Sequence, residues 1–288
     1  MGFEKTAGGG AESVRDDFSK GSDVGRGRGA VAIGAALLSL GLLAVSAEGA
    51  SLAVIRERGS LHVCAHPDAL PFSSQDRVQP GLQLEIADAL AKHLGVRVHV
   101  DWIVFTRHAR RVECDALIGS ILQGGEAASG RRRGPRLSKP YAGGGYLLVV
   151  PKTAAGITRV EDVTGGKIGV EHTSWPHYLF TSQKVPTASF VSQTEIIEGV
   201  ARGEIAAGMV TGAYLGWYLK EHPDASVKAA EGYVSSPELQ WNVAVGLRNA
   251  DEALVDAVNA ALDRLLADGT IQAIFSKYGI AYVSPHRL

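Results

Sequence analysis

The feature that most limits what this chain can become is a short apolar strand that breaks into a proline-rich loop and returns as an amphipathic helix. Residues 61–65 (LHVCA) read as the strand, residues 66–73 (HPDALPFS) as the loop and residues 83–94 as the helix. That order places Asp68, Phe72 and Ser73 just past the carboxyl end of a strand, where open α/β sheets hold their ligands. The alternation then continues. Strand-like runs at 96–102 and 116–121 flank a helical pattern around 107–112, and a long extended run at 146–152 follows three glycines. A second set begins there, with strands expected at 167–171, 189–191 and 206–210 and helices at 177–182, 195–202 and 213–222. Residues 240–247 read as a strand that carries the chain back, and residues 251–267 as an amphipathic helix. Such spacing predicts an α/β protein of two doubly wound lobes. Two extended crossings make the first lobe discontinuous, with residues 51–147 plus 245–288 in lobe 1, residues 148–244 in lobe 2, and a two-strand hinge between them.

The amino-terminal 29 residues are too polar and glycine-rich to bury a core. Residues 30–45 form an apolar run behind Lys20, Arg26 and Arg28, and Val45-Ser46-Ala47 supplies the small residues of a cleavage site. Residues 1–47 are therefore expected to be a signal peptide with a long polar start, cleaved after Ala47, and the mature protein to be a periplasmic monomer. A retained anchor is the alternative, since residues 30–47 reach the roughly 18 residues of a membrane span. Charge is balanced, at 29 Lys plus Arg against 30 Asp plus Glu, which argues against nucleic acid as a partner. Only Cys64 and Cys114 are present. They read either as two buried thiols or as a bridge, and export together with neighbouring strands weighs toward the bridge.

The strand, the Pro-Phe-Ser loop and the helix beginning Gly81-Leu82 with Glu85 resemble the opening of family 3 periplasmic solute-binding proteins. The resemblance runs from Leu61 to Gly279, through 114–119 (CDALIG), 137–141 (LSKPY), 166–170 (GKIGV) and 268–279 (DGTIQAIFSKYG). It implies the bilobal type II periplasmic-binding-protein fold, a small polar solute in the cleft and an ABC transporter permease as partner. It also implies where the ligand groups fall. Counting back from residues 137–141 puts the family's carboxylate-binding arginine at Arg131, within the basic stretch 130–136, with Ala128 in place of its usual threonine companion. The acid that binds an ammonium group is missing, because Ala206 and Thr211 stand at its positions. A buried ammonium without a counterion would cost several kcal/mol, so an ordinary α-amino acid is not the expected ligand. Thr173, Ser174 and Trp175 match the family's ligand-contacting turn, with helix capping as the competing role for the two hydroxyls. The expected cleft is thus Asp68, Phe72, Ser73 and Arg131 facing Thr173, Ser174, Trp175 and Thr211.

Residues 212–218 (GAYLGWY), with 63–73, 114–115, 145–146 and 245–248, are also similar to solute-binding-like proteins associated with quinoprotein methanol dehydrogenases. That likeness implies an alternative role, an accessory protein of a periplasmic dehydrogenase with a vestigial cleft. A second alternative is a cyclohexadienyl dehydratase, whose bilobal fold uses a buried acid, for which Glu171 is the candidate. No nucleophile and base pair or phosphate loop supports other catalysis, and no cofactor is expected. Histidines at 62 and 66 have helical metal-site spacing but lie on and just past a strand, where four residues separate them by roughly 13 Å, so the histidines read as scattered and unliganded and no metal site is expected.

Overall fold

The computed structural model describes residues 51–104, 111–122 and 135–287. In chain order the first elements are α1 (Leu52–Arg58), β1 (Ser60–Ala65), β2 (Asp68–Ala69), β3 (Ser73–Ser74), α2 (Leu82–Leu94), β4 (Arg97–Trp102), β5 (Ala116–Leu122) and β6 (Arg136–Leu137). There follow β7 (Ala142–Pro151), β8 (Ile168–Glu171), α3 (Trp175–Ser182), β9 (Thr187–Phe190), α4 (Gln193–Ala201), β10 (Ala207–Thr211), α5 (Gly212–Glu221) and β11 (Val227–Ala229). The chain closes with β12 (Gln240–Leu247), α6 (Glu252–Ala267) and α7 (Thr270–Lys277). The expected helix around 107–112 falls largely on residues outside the described set, and Arg111 and Val112 lie in a turn.

The strands form a continuous path in the order β4-β1-β5-β12-β7-β10-β8-β9. At one end β4, β1 and β5 run parallel, and at the other β10, β8 and β9 do. Antiparallel pairs with β12 and β7 join the two ends. Parallel strands need helical crossovers, and those helices cover the sheet. The α2 residues Leu82, Ile86, Leu90 and Leu94 form one apolar stripe, buried with Leu61 and Val63 of β1 and with Leu254, Val258 and Leu262 of α6. One core is therefore built from both ends of the described chain. Beyond β7 the sheet is covered on both faces. Leu148, Val150 and Met209 pack with Phe180 on one side, while Val149 and Val210 pack with Ile196, Ile197 and Val200 on the other.

Cys64 and Cys114 are joined by a disulfide, with Cα atoms 5.5 Å apart and 50 positions between them in sequence. Cys64 lies on the face of β1 turned away from the α2 core, where the bridge packs with Ile103. Closing that loop in the unfolded chain is worth about 4 kcal/mol in the chain-entropy picture. Replacing both residues by serine is expected to lower the stability by about that much, read as an earlier denaturant midpoint under oxidising conditions. An unchanged midpoint would contradict it.

Candidate functional site

The loop after β1 owes its shape to a close approach. Gly81 has φ +95°, and a Cβ there would stand 2.5 Å from the carbonyl carbon of Phe72, so no larger residue fits without moving the loop. The first α2 amides then bind the loop's carbonyls, Leu82 N–H to Pro71 and Gln83 N–H to Phe72, both at 2.9 Å. From the far end of the chain, the Tyr278 hydroxyl accepts from Gly81 N–H at 2.8 Å and donates to Glu85 at 2.6 Å, with Lys277 on the same carboxylate oxygen. Burial and the Glu85 carboxylate raise the Tyr278 phenol above its ordinary range. Ser73 is buried, and its hydroxyl donates to the His66 carbonyl at 2.8 Å, so it is committed to holding the loop. Asp68 is exposed on β2, its amide held by His66 Nδ1.

Phe72 reaches across to the other half of the sheet. Its ring meets that of Tyr214 edge to face, with centroids 5.6 Å apart. Tyr214 lies in the first turn of α5, which Thr211 caps by accepting the Tyr214 amide on its side-chain oxygen. Ser174 caps α3 in the same way. A capping hydroxyl uses its oxygen as acceptor and keeps its own proton to donate, so capping and solute binding are compatible at both residues. Thr173 has φ +61°, uncommon for a β-branched residue, and its amide donates to His177 Nδ1 at 3.1 Å. Strain of that kind is concentrated at binding turns. Trp175 is half exposed at the start of α3. Arg131 lies outside the described residues.

A carboxylate stands one strand away from the position where the sequence lacks an acid. Gln193, almost fully buried, accepts the Thr211 amide on Oε1 at 2.7 Å and donates from Nε2 to Glu171 Oε2 at 3.2 Å. Glu171 ends β8 and Thr211 ends β10, adjacent parallel strands, so one side-chain amide ties two strand ends together. Two phenols feel the charge of this acid. Tyr146 lies opposite Thr211 in the β7–β10 register and edge to face with Trp241, centroids 5.4 Å apart. Burial first, and the Glu171 charge second, push the Tyr146 phenol up to about 12 and raise that of Tyr214. The sequence had assigned none of Tyr146, Tyr214, Gln193 and Trp241, and had weighed Glu171 only as a catalytic acid. A tyrosine directly after three glycines at a predicted crossing was the available signal.

The unfolded chain releases the Tyr146 proton near its ordinary value of 10.0, whereas the folded protein retains it to about 12, so stability from this group is lost progressively as pH rises between them. Glu171→Gln is expected to lower the ionisation midpoints of Tyr146 and Tyr214, seen by NMR of ring-labelled tyrosine and assigned with Tyr146→Phe. Midpoints that stay put would separate Glu171 from these rings.

Residues 61–281 match the family model for bacterial extracellular solute-binding proteins, family 3. The L-cystine-binding protein TcyJ of Escherichia coli (strain K12) is 28% identical over 234 residues, covering 78% of this chain and 84% of that protein. The probable amino-acid-binding protein YxeM of Bacillus subtilis (strain 168) is 24% identical over 231 residues, covering 76% and 83%. Among solved structures, the L-cystine solute receptor of Neisseria gonorrhoeae in its unliganded open conformation superposes with a TM-score of 0.67 at 19% identity, covering 82% of this chain and all of that one. The ancestral cationic amino acid solute-binding protein AncCDT-1 does so at 0.66 and 23%, covering 79% and 99%. These likenesses show the type II periplasmic-binding-protein fold, and no helix among the described residues is long and apolar enough to cross a membrane. The chain belongs to the bacterial extracellular solute-binding proteins of family 3.

Proposed function

We propose that this protein binds a small polar solute carrying a cationic nitrogen, in a cleft between a lobe of residues 51–147 with 245–288 and a lobe of residues 148–244. It delivers that solute to the permease of an ABC transporter. The observation that carries the reading is Glu171, a carboxylate tied through Gln193 to Thr211 and electrostatically coupled to Tyr146 and Tyr214. Closure of a cleft over a carboxylate that has no cationic partner among the described residues is costly, and a ligand cation offsets that cost. Aromatic faces add to the attraction. Ser174 and Thr211 keep hydroxyl protons for the solute's acceptor end, Arg131 is the partner for a carboxylate, and Asp68, Phe72, Thr173 and Trp175 complete the walls, with Ser73 holding the loop behind them. The acid sits at the end of β8 and not at the end of β10, where the family resemblance puts it. The common L-α-amino acids are disfavoured for that reason, although the relatives are named for L-cystine and amino acids. Residues 1–47 serve as the leader, and the mature protein works as a periplasmic monomer.

The other two readings draw less support. The accessory role beside a quinoprotein dehydrogenase rests on residues 212–218, and the relatives are named as solute-binding proteins. Dehydratase action would use Glu171 as its acid. A thermal-shift panel of L-cystine, L-arginine, amines without an α-carboxylate and dicarboxylates tests the proposal, followed by calorimetry on the best compound. A cationic compound is expected to bind, and Glu171→Gln to weaken it roughly tenfold to a hundredfold. Binding of dicarboxylates alone, or affinity unmoved by Glu171→Gln, would overturn the role of Glu171. Submicromolar binding of a common L-α-amino acid would overturn their exclusion.

A further inference from the structure

A second cluster of ligating side chains lies at the β4 edge of the sheet, apart from the solute site. β4 and β1 run parallel with His62 opposite His99 and Cys64 opposite Asp101. Alternation along the two strands sends Leu61, Val63, Val98 and Val100 into the α2 core and turns His62, His99 and Asp101 to the other face. There His62 Nδ1 is 3.1 Å from Asp101 Oδ2, and His99 Nε2 is 3.6 Å from Asp101 Oδ1. The two imidazole rings stand 4.4 Å apart, centre to centre. One ligand atom from each residue lies within 4.8 Å of the other two.

We propose that His62, His99 and Asp101 bind one divalent transition-metal ion, zinc being the best match to the donor set. Two imidazoles and a carboxylate are the donors that borderline ions such as zinc prefer, whereas calcium and magnesium call for oxygen alone. The backbone does most of the positioning, because neighbouring parallel strands fix the spacing of all three Cα atoms. With zinc bonds of about 2.0–2.1 Å, tetrahedral ligands stand about 3.3 Å apart, so the longest side of the set must tighten by up to about 1.5 Å. His99 is the exposed member, with 58% of its side chain accessible, and has the room to make that rotation. Its exposure also leaves the remaining position to water. The partner of His62 is thus the histidine across the strand pair and not His66, whose Nδ1 accepts the Asp68 amide. A bound ion would clamp the edge strand to β1 beside the disulfide.

The test is calorimetric titration of zinc chloride into tag-free, chelator-stripped protein at neutral pH, repeated on His99→Ala and Asp101→Asn. Expected are one ion per chain, affinity at least about tenfold weaker in each variant, and a thermal midpoint raised by several degrees with excess zinc in the unsubstituted protein alone. Cobalt(II) in place of zinc should give the visible absorption of a four-coordinate site. Midpoints without metal check that the variants fold, and Asp101→Asn, which keeps the side-chain shape, carries the test if His99→Ala does not fold. Absence of zinc binding overturns the proposal, as does affinity unmoved by either substitution. His172 and His177 form another close pair, with ring centres 5.3 Å apart, so binding lost only in His177→Ala would place the ion there and equally overturn it.

Discussion

Strand β7 belongs to both ends of the sheet, and the site follows from where it changes partners. Residues 142–145 pair with β12, and residues 146–149 pair with β10. The change falls directly after Gly143, Gly144 and Gly145. A Cβ on Gly144 would stand 2.4 Å from the indole nitrogen of Trp241, so a bare backbone is what lets that ring lie across the strand. Tyr146 is then the first residue past the change, opposite Thr211 and edge to face with Trp241. A pair of backbone ladders thereby sets the position of a phenol, a capping threonine and an indole before any solute arrives.

The charge arrangement depends on one buried amide. Gln193 uses its oxygen for the Thr211 amide and its nitrogen for Glu171, so both ends of the side chain are satisfied inside the structure. It holds the carboxylate by one oxygen, and no other described side chain hydrogen-bonds that group. Phe72 and Tyr214 touch ring to ring, and Tyr214 feels the charge of Glu171. Charge interactions strengthen where water is excluded, and the role proposed for Glu171 rests on that.

Much of the fold was legible because its signals are local. Apolar strand runs punctuated by glycine and proline gave β1, β4, β5, β8, β10 and β12, and the apolar stripes of α2 and α6 gave their buried faces. The short strands β2, β3, β6 and β11 escaped notice, since two or three residues carry no periodicity. The site was legible only along the chain. Thr173, Ser174 and Thr211 were singled out through the family resemblance, but the Gln193 bridge from Thr211 to Glu171 spans 18 and 22 positions and depends on sheet order. The same limit applied to histidine. Counting along the chain set His62 against His66 and discarded the pair, whereas strand register puts His99 opposite His62.

The most direct measurement is a crystal structure of the protein isolated from its own compartment with its solute retained. The account predicts a small molecule between the halves with a nitrogen within hydrogen-bonding distance of the Glu171 carboxylate and the rings of Tyr146 and Tyr214 beside it. A solute whose contacts bypass Glu171, or one that presents an anionic group to it, would contradict the account.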